Sequence, residues 1–472
     1  MSLEDTLYPL LRYYEKAPAS LRNAAGALYR TLPARWRYGP HYAEFKFLAR
    51  ALETADPDEI RTVQFEQLKL VLAEAAAHCP WYARQFAEAG FDPAKMNRPE
   101  DFADCPTTEK STLQDHLPDL ASRRFSERQR IYITTGGSTG VPVGFYLHQG
   151  VSRPKEQAYL ETMWERAGYT DRARVAVIRG HVTSPSAKGR IAHRDATRGW
   201  LMLSSYHLTD ERMPEYLEAL EQYRPEFIHA YPSAALQIAE YLVKTGTAWR
   251  TPIRSFLCGS EQLTLNQKRL LETVFGCGVY RWYGHAERVV LAGEGRQSPL
   301  LYFFPTYGYV EFGPPDEDGL QEIIGTSFHN LVMPLIRYRT GDYVRLAPRN
   351  APREFPWPAA SEIAGRGQEF LVSATGRKIS LTAFNMHDAV FDHLYAVQFK
   401  QDEPGRAEFR YIPAPAFDAR QRERILKRIR EKLGDDFEVE LKAVDEVEKT
   451  ARGKHKWLVS SLDQPRDKAS RA

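Results

Sequence analysis

Cysteine is scarce in this chain: Cys79, Cys105, Cys258 and Cys277 are the only four in 472 residues, and no two form a C-x-x-C pair. That scatter argues against a disulfide framework. Cys258, Cys277 and His285 flank one expected strand–helix–strand unit and could in principle meet around a metal, but buried structural thiols are the more ordinary outcome. An excess of one charge is missing too. A net charge of +3 makes no electrostatic case for a nucleic-acid partner. No apolar run approaches the length of a membrane span. The opening "MSLEDTLYPLLRYYEK" has acids where a signal peptide needs basic residues, and it lacks an apolar core segment. The expectation is a cytoplasmic protein, monomeric or homodimeric. A G-x-x-x-x-G-K-[ST] phosphate loop is absent as well.

What is present reads as a folded α/β chain in two parts. With 43% hydrophobic and 26% charged residues, the composition is that of a globular protein rather than a disordered one. The large N-terminal part, residues 1–365, begins with a helical segment over 1–125. Asp56-Pro57-Asp58-Glu59 predicts a helix start, and Leu68, Val71, Leu72 and Ala75 repeat as one buried face. From residue 131 strands alternate with helices. "IYIT" precedes a glycine loop, Ser152 is expected to cap a helix running to Arg166, and "RVAVI", "FIHAY", "IRSFLC" and "VYRWYG" read as strands. Helices are expected over 210–223, from Ser233 with Leu236, Ala239 and Val243 on its buried face, and from Thr264 to Phe275. Such alternation implies parallel strands with crossover helices. Residues 300–347 are strand-rich: "YGYVEF", "LQEIIGTS", "PLIRYRTGDYVRL". A proline-rich stretch then leads to a small mobile α+β domain, residues 366–472, with strands "YAVQFK" and "AEFRYI" and a helix at 419–433 carrying Leu426, Ile429 and Leu433.

Several short motifs carry chemistry. In "TTGGSTG", Thr134, Thr135, Ser138 and Thr139 can donate to phosphate oxygens, while Gly136, Gly137 and Gly140 let backbone N–H groups approach an anion; a flexible turn is the plain alternative. "WYGHAE" sets Glu287 just after an expected parallel strand, where open α/β sheets bind ligands. A carboxylate there suits Mg²⁺ held against nucleotide phosphates, or is simply a solvated glutamate. "RYRTGD" ends a strand with Asp342, which can accept from two neighbouring sugar hydroxyls or serve only the turn. "GRGQEF" offers Arg366 where the domains part, and "KTARGKHKW" sets Lys454 on a glycine turn. Tyr231, Ser233, Trp282 and His285 sit at expected strand ends beside these motifs and could line an acid pocket; core packing accounts for the aromatic ones equally well.

In joint order these motifs resemble the adenylate-forming superfamily of acyl-coenzyme A synthetases, luciferases and nonribosomal adenylation domains. "TTGGSTGVP", "LCGSEQLT", "WYGHAE", "YRTGD" and "TARGKHKW" are similar to its phenylacetate–coenzyme A ligase branch. "RWRYGPHYAEF", "EQLKLVLAEAAAHCPWYARQF" and "CPTTEKSTLQDHL" are similar to the capsular-polysaccharide-biosynthesis subgroup. The resemblance implies that Thr135 to Thr139 grip the β- and γ-phosphates of ATP, that Gly259, Ser260 and Glu261 border the adenine, and that Tyr283, followed by Gly284, stacks on it. It further implies Glu287 on Mg²⁺, Asp342 on the ribose, Arg366 on the ribose–phosphate side, a hinge near Gln368, and Lys454 at the reacting carboxylate and α-phosphate. Val143, Gln368 and Ala286 depart from what many relatives carry at those positions. The function expected is activation of a carboxylic acid as an acyl-adenylate, then transfer to a thiol, coenzyme A. Transfer to an amine acceptor is the alternative. A non-catalytic nucleotide-binding protein is a second, against which Glu287, Asp342 and Lys454 together argue.

Overall fold

A computed structural model describes residues 17–134, 143–180, 191–315, 319–364, 370–381, 394–413, 417–448 and 456–462. From Ala19 to Leu120 the described part of the N-terminal segment is helical, as expected. Asp56 opens the helix Pro57–His78: its carboxylate accepts from the N–H groups of Asp58 and Glu59 at 2.9 and 2.8 Å. Pro57 occupies the first position, where a missing N–H costs nothing. Leu68, Val71, Leu72 and Ala75 are all buried.

The strand β1 (Arg130–Thr134) pairs antiparallel with β2 (Gly144–His148) as a separate hairpin. The second strand was not expected, because its sequence follows a Val-Pro pair that reads as turn. Ser152 is not a cap. It is the first residue of the helix Ser152–Glu165, and its hydroxyl accepts from the His148 N–H at 3.1 Å rather than from the helix.

Next come β3 (Val175–Arg179), β4 (Ala192–Arg194), β5 (Leu201–Ser204), β6 (Phe227–Ala230), β7 (Ser255–Gly259) and β8 (Gly278–Gly284). After them follow β9 (Leu291–Glu294), β10 (Leu301–Phe303), β11 (Gly308–Phe312), β12 (Gln321–Ser327), β13 (Tyr338–Leu346) and β14 (Ala359–Ala364). The strands from β3 to β14 form one sheet in the order β11-β12-β13-β14-β10-β9-β8-β7-β6-β3-β5-β4. Neighbours from β5 through β8 are parallel. The strand-rich section extends that same sheet, antiparallel from β8 onward.

The parallel strands are buried on both faces, which is why they read as unbroken apolar runs. Ala176, Ile178, Ile228, Ala230 and Phe256 pack under the helices Met213–Tyr223, Pro232–Thr245 and Leu265–Phe275. Val175, Val177, Phe227 and Leu257 face the helices His41–Ala51 and Ser152–Glu165. Val243 does not join the buried face and is 65% exposed. The face of its helix runs instead through Ala235, Ile238, Ala239 and Leu242, a rotation of about one residue from the expected stripe.

The C-terminal strands are β15 (Phe370–Val372), β16 (Lys378–Ser380), β17 (Leu394–Glu403), β18 (Arg406–Pro413), β19 (Glu438–Ala443) and β20 (Leu458–Ser460). The last four form a sheet in the order β19-β18-β17-β20. The helix Ala419–Leu433, capped by Asp418 on the Gln421 N–H, lays Ile425, Ile429 and Leu433 on the core there, with Leu426 at its edge. That hydrophobic cluster draws only on residues from 371 onward.

Candidate active site

The carboxyl ends of β3, β6, β7 and β8 lie side by side, and the groups just beyond them converge with a bulge in the middle of β13, a strand that runs on to Leu346 rather than ending at Asp342 as expected. Opposite the single Ile323 of β12, β13 has three residues, Thr340, Gly341 and Asp342. Gly341 takes φ +69°, which a residue with a Cβ adopts rarely. The Thr340 hydroxyl accepts from the Asp342 N–H at 3.1 Å. Such a bulge re-aims the side chain that follows it, and the Asp342 carboxylate accepts from the Tyr283 hydroxyl at 2.9 Å. The "RTGD" and "YG" motifs thus meet through one hydrogen bond.

Glu287 lies beside this pair and is buried. Its carboxylate accepts from the Tyr338 hydroxyl at 2.9 Å and from His285 Nδ1 at 3.1 Å. The backbone N–H of Val290 donates to His285 Nε2 at 3.4 Å, which leaves the ring proton on Nδ1, facing the carboxylate. Burial alone would push the Glu287 carboxyl up. The hydrogen bond from His285, with the positive charge of Lys110, outweighs it and holds the group below its ordinary range. Burial and the adjacent Asp342 push the Tyr283 hydroxyl far above its ordinary range.

A second group lies toward β3. The Ser233 N–H and hydroxyl donate to the Glu261 carboxylate at 2.8 and 3.0 Å, at the start of the helix Pro232–Thr245. A side chain at Gly259 would put its Cβ 2.2 Å from Cε2 of Trp282, so the indole depends on that glycine. Ser260 has φ +71°, and its hydroxyl accepts from Arg179. The guanidinium of Arg179 stacks over Tyr231, 4.6 Å from the ring centroid.

The residues expected from the sequence therefore fall into two sets. Tyr283, Gly284, His285, Glu287 and Asp342 are brought together, as are Tyr231, Ser233, Gly259, Ser260, Glu261 and Trp282. Thr134 ends β1, opposite Gly144. Thr135, Gly136, Gly137, Ser138, Thr139, Gly140, Arg366, Gln368 and Lys454 lie outside the described residues. Cys258 is buried within β7, Cys277 is partly buried, and burial pushes the Cys277 thiol up to about 12. Among the described residues no three His, Cys, Asp or Glu side chains are arranged to hold a metal ion, and His285 is engaged with Glu287 instead. Val143 is core. Two residues at the site carry no motif of their own. Tyr338 hides inside "RYRTGD", and Arg179 is marked only as a charge closing a buried strand.

The fold is that of the adenylate-forming ligases. A 2-hydroxyisobutyryl-CoA ligase solved in the postadenylation state with 2-HIB-AMP superposes with a TM-score of 0.54, at 18% identity, over 91% of this chain and 94% of its own. The same ligase with 2-HIB-AMP and CoA, in the thioesterification state, gives 0.53 at 19% identity over 91% and 93%. Within that class the chain is a relative of CapK and of the phenylacetate–coenzyme A ligases, and it carries a CapK C-terminal domain over residues 371–461. Protein CapK of Staphylococcus aureus is 23% identical over 466 residues, 96% of this chain and all of CapK. Phenylacetate-coenzyme A ligase of Escherichia coli strain K12 is 26% identical over 335 residues, 68% of this chain and 74% of that protein.

Proposed function

We propose that this chain activates a carboxylic acid with ATP, releasing pyrophosphate and forming an acyl-adenylate, and then passes the acyl group to the thiol of coenzyme A. The observation that carries the reading is the meeting of Tyr283, Glu287 and Asp342 beyond the parallel strand ends. Tyr283 offers a flat face to the adenine. Asp342, oriented by the bulge and by the Tyr283 hydroxyl, keeps acceptor capacity for ribose hydroxyls.

Glu287 suits Mg²⁺. It is a hard oxygen donor held ionised, its two oxygens accept from Tyr338 and His285, and a single carboxylate beside substrate phosphates is a usual magnesium arrangement. Bound there, Mg²⁺ would offset charge on the phosphate oxygens. His285 and Tyr338 hold the carboxylate in place. In this reading residues 135–140 supply the phosphate grip and Arg366 the ribose–phosphate contact. Lys454, from the small domain, meets the charge that develops as carboxylate attacks α-phosphate. The two domains divide near residue 365, with a hinge at 365–369. The names of the phenylacetate–coenzyme A ligases support coenzyme A as acceptor.

The test is pyrophosphate release over a panel of carboxylic acids, with product analysis in the presence of coenzyme A or of amines. Acid-dependent release with thioester formation is expected. Amide in place of thioester would move the chain to the amine-acceptor reading, and ATP binding with no acid-dependent release would remove catalysis.

A further inference from the structure

The sheet order locates a crevice. From β3 the chain leaves to one side, toward β5, and from β6 it leaves to the other, toward β7. Because β3 and β6 are neighbours, the change of direction falls between their carboxyl ends, where open α/β sheets bind ligands. Arg179 is the last residue of β3, and Tyr231 directly follows β6. The guanidinium lies over the Tyr231 ring and 6.0 Å from the centroid of Trp282. One terminal N–H donates to His229 Nε2 at 2.7 Å, and another to the Ser260 hydroxyl.

What this cation lacks is a counter-charge. Arg166, Arg281, Arg337 and Arg377 each hold a carboxylate, whereas Arg179 has none among the described residues and only neutral hydrogen-bond partners. Stacking on Tyr231 offsets part of the charge, but a guanidinium in a crevice is best satisfied by a carboxylate, which it can bind through two parallel bonds. Beside it, Trp282 Nε1 is buried without an acceptor among the described residues.

We propose that Arg179 binds a second anionic group on the acid, so that the substrate is a carboxylic acid bearing another carboxylate away from the reacting one. This rests on the adenylation reading above. Three strand spacings separate β3 from β8, about 14 Å, so Arg179 is rooted far from the Glu287 and Asp342 group where the reacting carboxylate must meet phosphate. A carboxylate clamped by two guanidinium bonds would also be a poorer nucleophile. The arginine therefore suits the far end of the acid, with the Tyr231 and Trp282 rings covering the flat sides between.

ATP–pyrophosphate exchange with matched acids tests this, with succinate against butyrate and terephthalate against benzoate. The wild-type chain is expected to favour the dicarboxylate in at least one pair, by about ten- to a hundred-fold in kcat/KM, the range of a hydrogen bond to a charged group. Arg179→Ala should erase that preference, and Arg179→Lys should keep part of it. A ratio of two acids on one preparation does not depend on the fraction folded. A wild-type preference for the monocarboxylate in both pairs, or a dicarboxylate preference that survives Arg179→Ala, would overturn the assignment while leaving adenylation intact. An equal loss with every acid would place Arg179 on the reacting carboxylate or the nucleotide instead. No exchange with any acid would overturn the adenylation reading itself, and this inference with it.

Discussion

A residue's place in a motif and the physical demand on it can differ, and Gly259 is such a case. By resemblance it borders the adenine. In the structure its missing Cβ makes room for Trp282, whose ring atoms would lie within 2.6 Å of a methyl group there. Gly259→Ala must push the indole aside, at a cost of about 1–3 kcal/mol for overpacking. Because Trp282 neighbours Arg179 and Tyr231, the damage should appear as a raised KM for the acid with a smaller change in KM for ATP. Steady-state kinetics with each substrate varied in turn decide it, and a selective rise in KM for ATP would return Gly259 to the adenine. Asp342 and Glu287 were legible as chemistry because an acidic residue after a glycine turn motif stands out in sequence, although Asp342 proves to lie within β13 rather than at its end. Tyr338 and Arg179 were not, since their partners Glu287, Ser260 and His229 are distant in sequence.

At the scale of elements, legibility followed periodicity and local capping. The helices Pro57–His78 and Leu265–Phe275 announce themselves at Asp56 and Thr264, and the helix Ala419–Leu433 through its apolar stripe; in the structure the side chains of Asp56, Thr264 and Asp418 each accept from N–H groups of the first turn. Where a capping signal competed with a strand end, the strand end prevailed: Ser152 has a capping side chain but its oxygen accepts from the N–H of His148, the last residue of β2. Asp56 offers the cleaner test. It is exposed, so Asp56→Ala removes little besides the cap, and such losses typically cost about 1 kcal/mol. Amide hydrogen exchange at Asp58 and Glu59 should quicken roughly fivefold through local fraying, with ATP and acid kinetics unaffected. Unchanged exchange at both amides would mean that packing alone holds this turn.

The whole molecule is where sequence said least about arrangement and most about mechanism. Parallel strands followed from alternation with helices, but a twelve-stranded sheet in which β10 joins β14 depends on pairings that no local pattern encodes. The small α+β unit was legible from its own helix and strands, and its hydrophobic cluster is its own. Lys454 falls within the stretch matching the CapK C-terminal domain, whereas Tyr283 and Asp342 belong to strands of the large sheet and Glu287 to the turn between β8 and β9. If the lysine acts only as carboxylate meets α-phosphate, Lys454→Ala should slow adenylation on the order of a hundred- to a thousand-fold, as loss of one such electrostatic contact does. ATP should still bind, because the proposed reading draws its adenine contact and most of its ribose contacts from the other part. A chemically supplied acyl-adenylate should still be consumed with its acceptor if, as the proposed hinge implies, the lysine moves away before transfer. Three measurements on one folded variant separate the possibilities: ATP affinity, acid-dependent pyrophosphate release, and turnover of supplied acyl-adenylate. Near-normal release would remove Lys454 from the chemistry. An equal fall in both half-reactions would keep the lysine but reject alternation, because a group that leaves between the steps cannot limit them both.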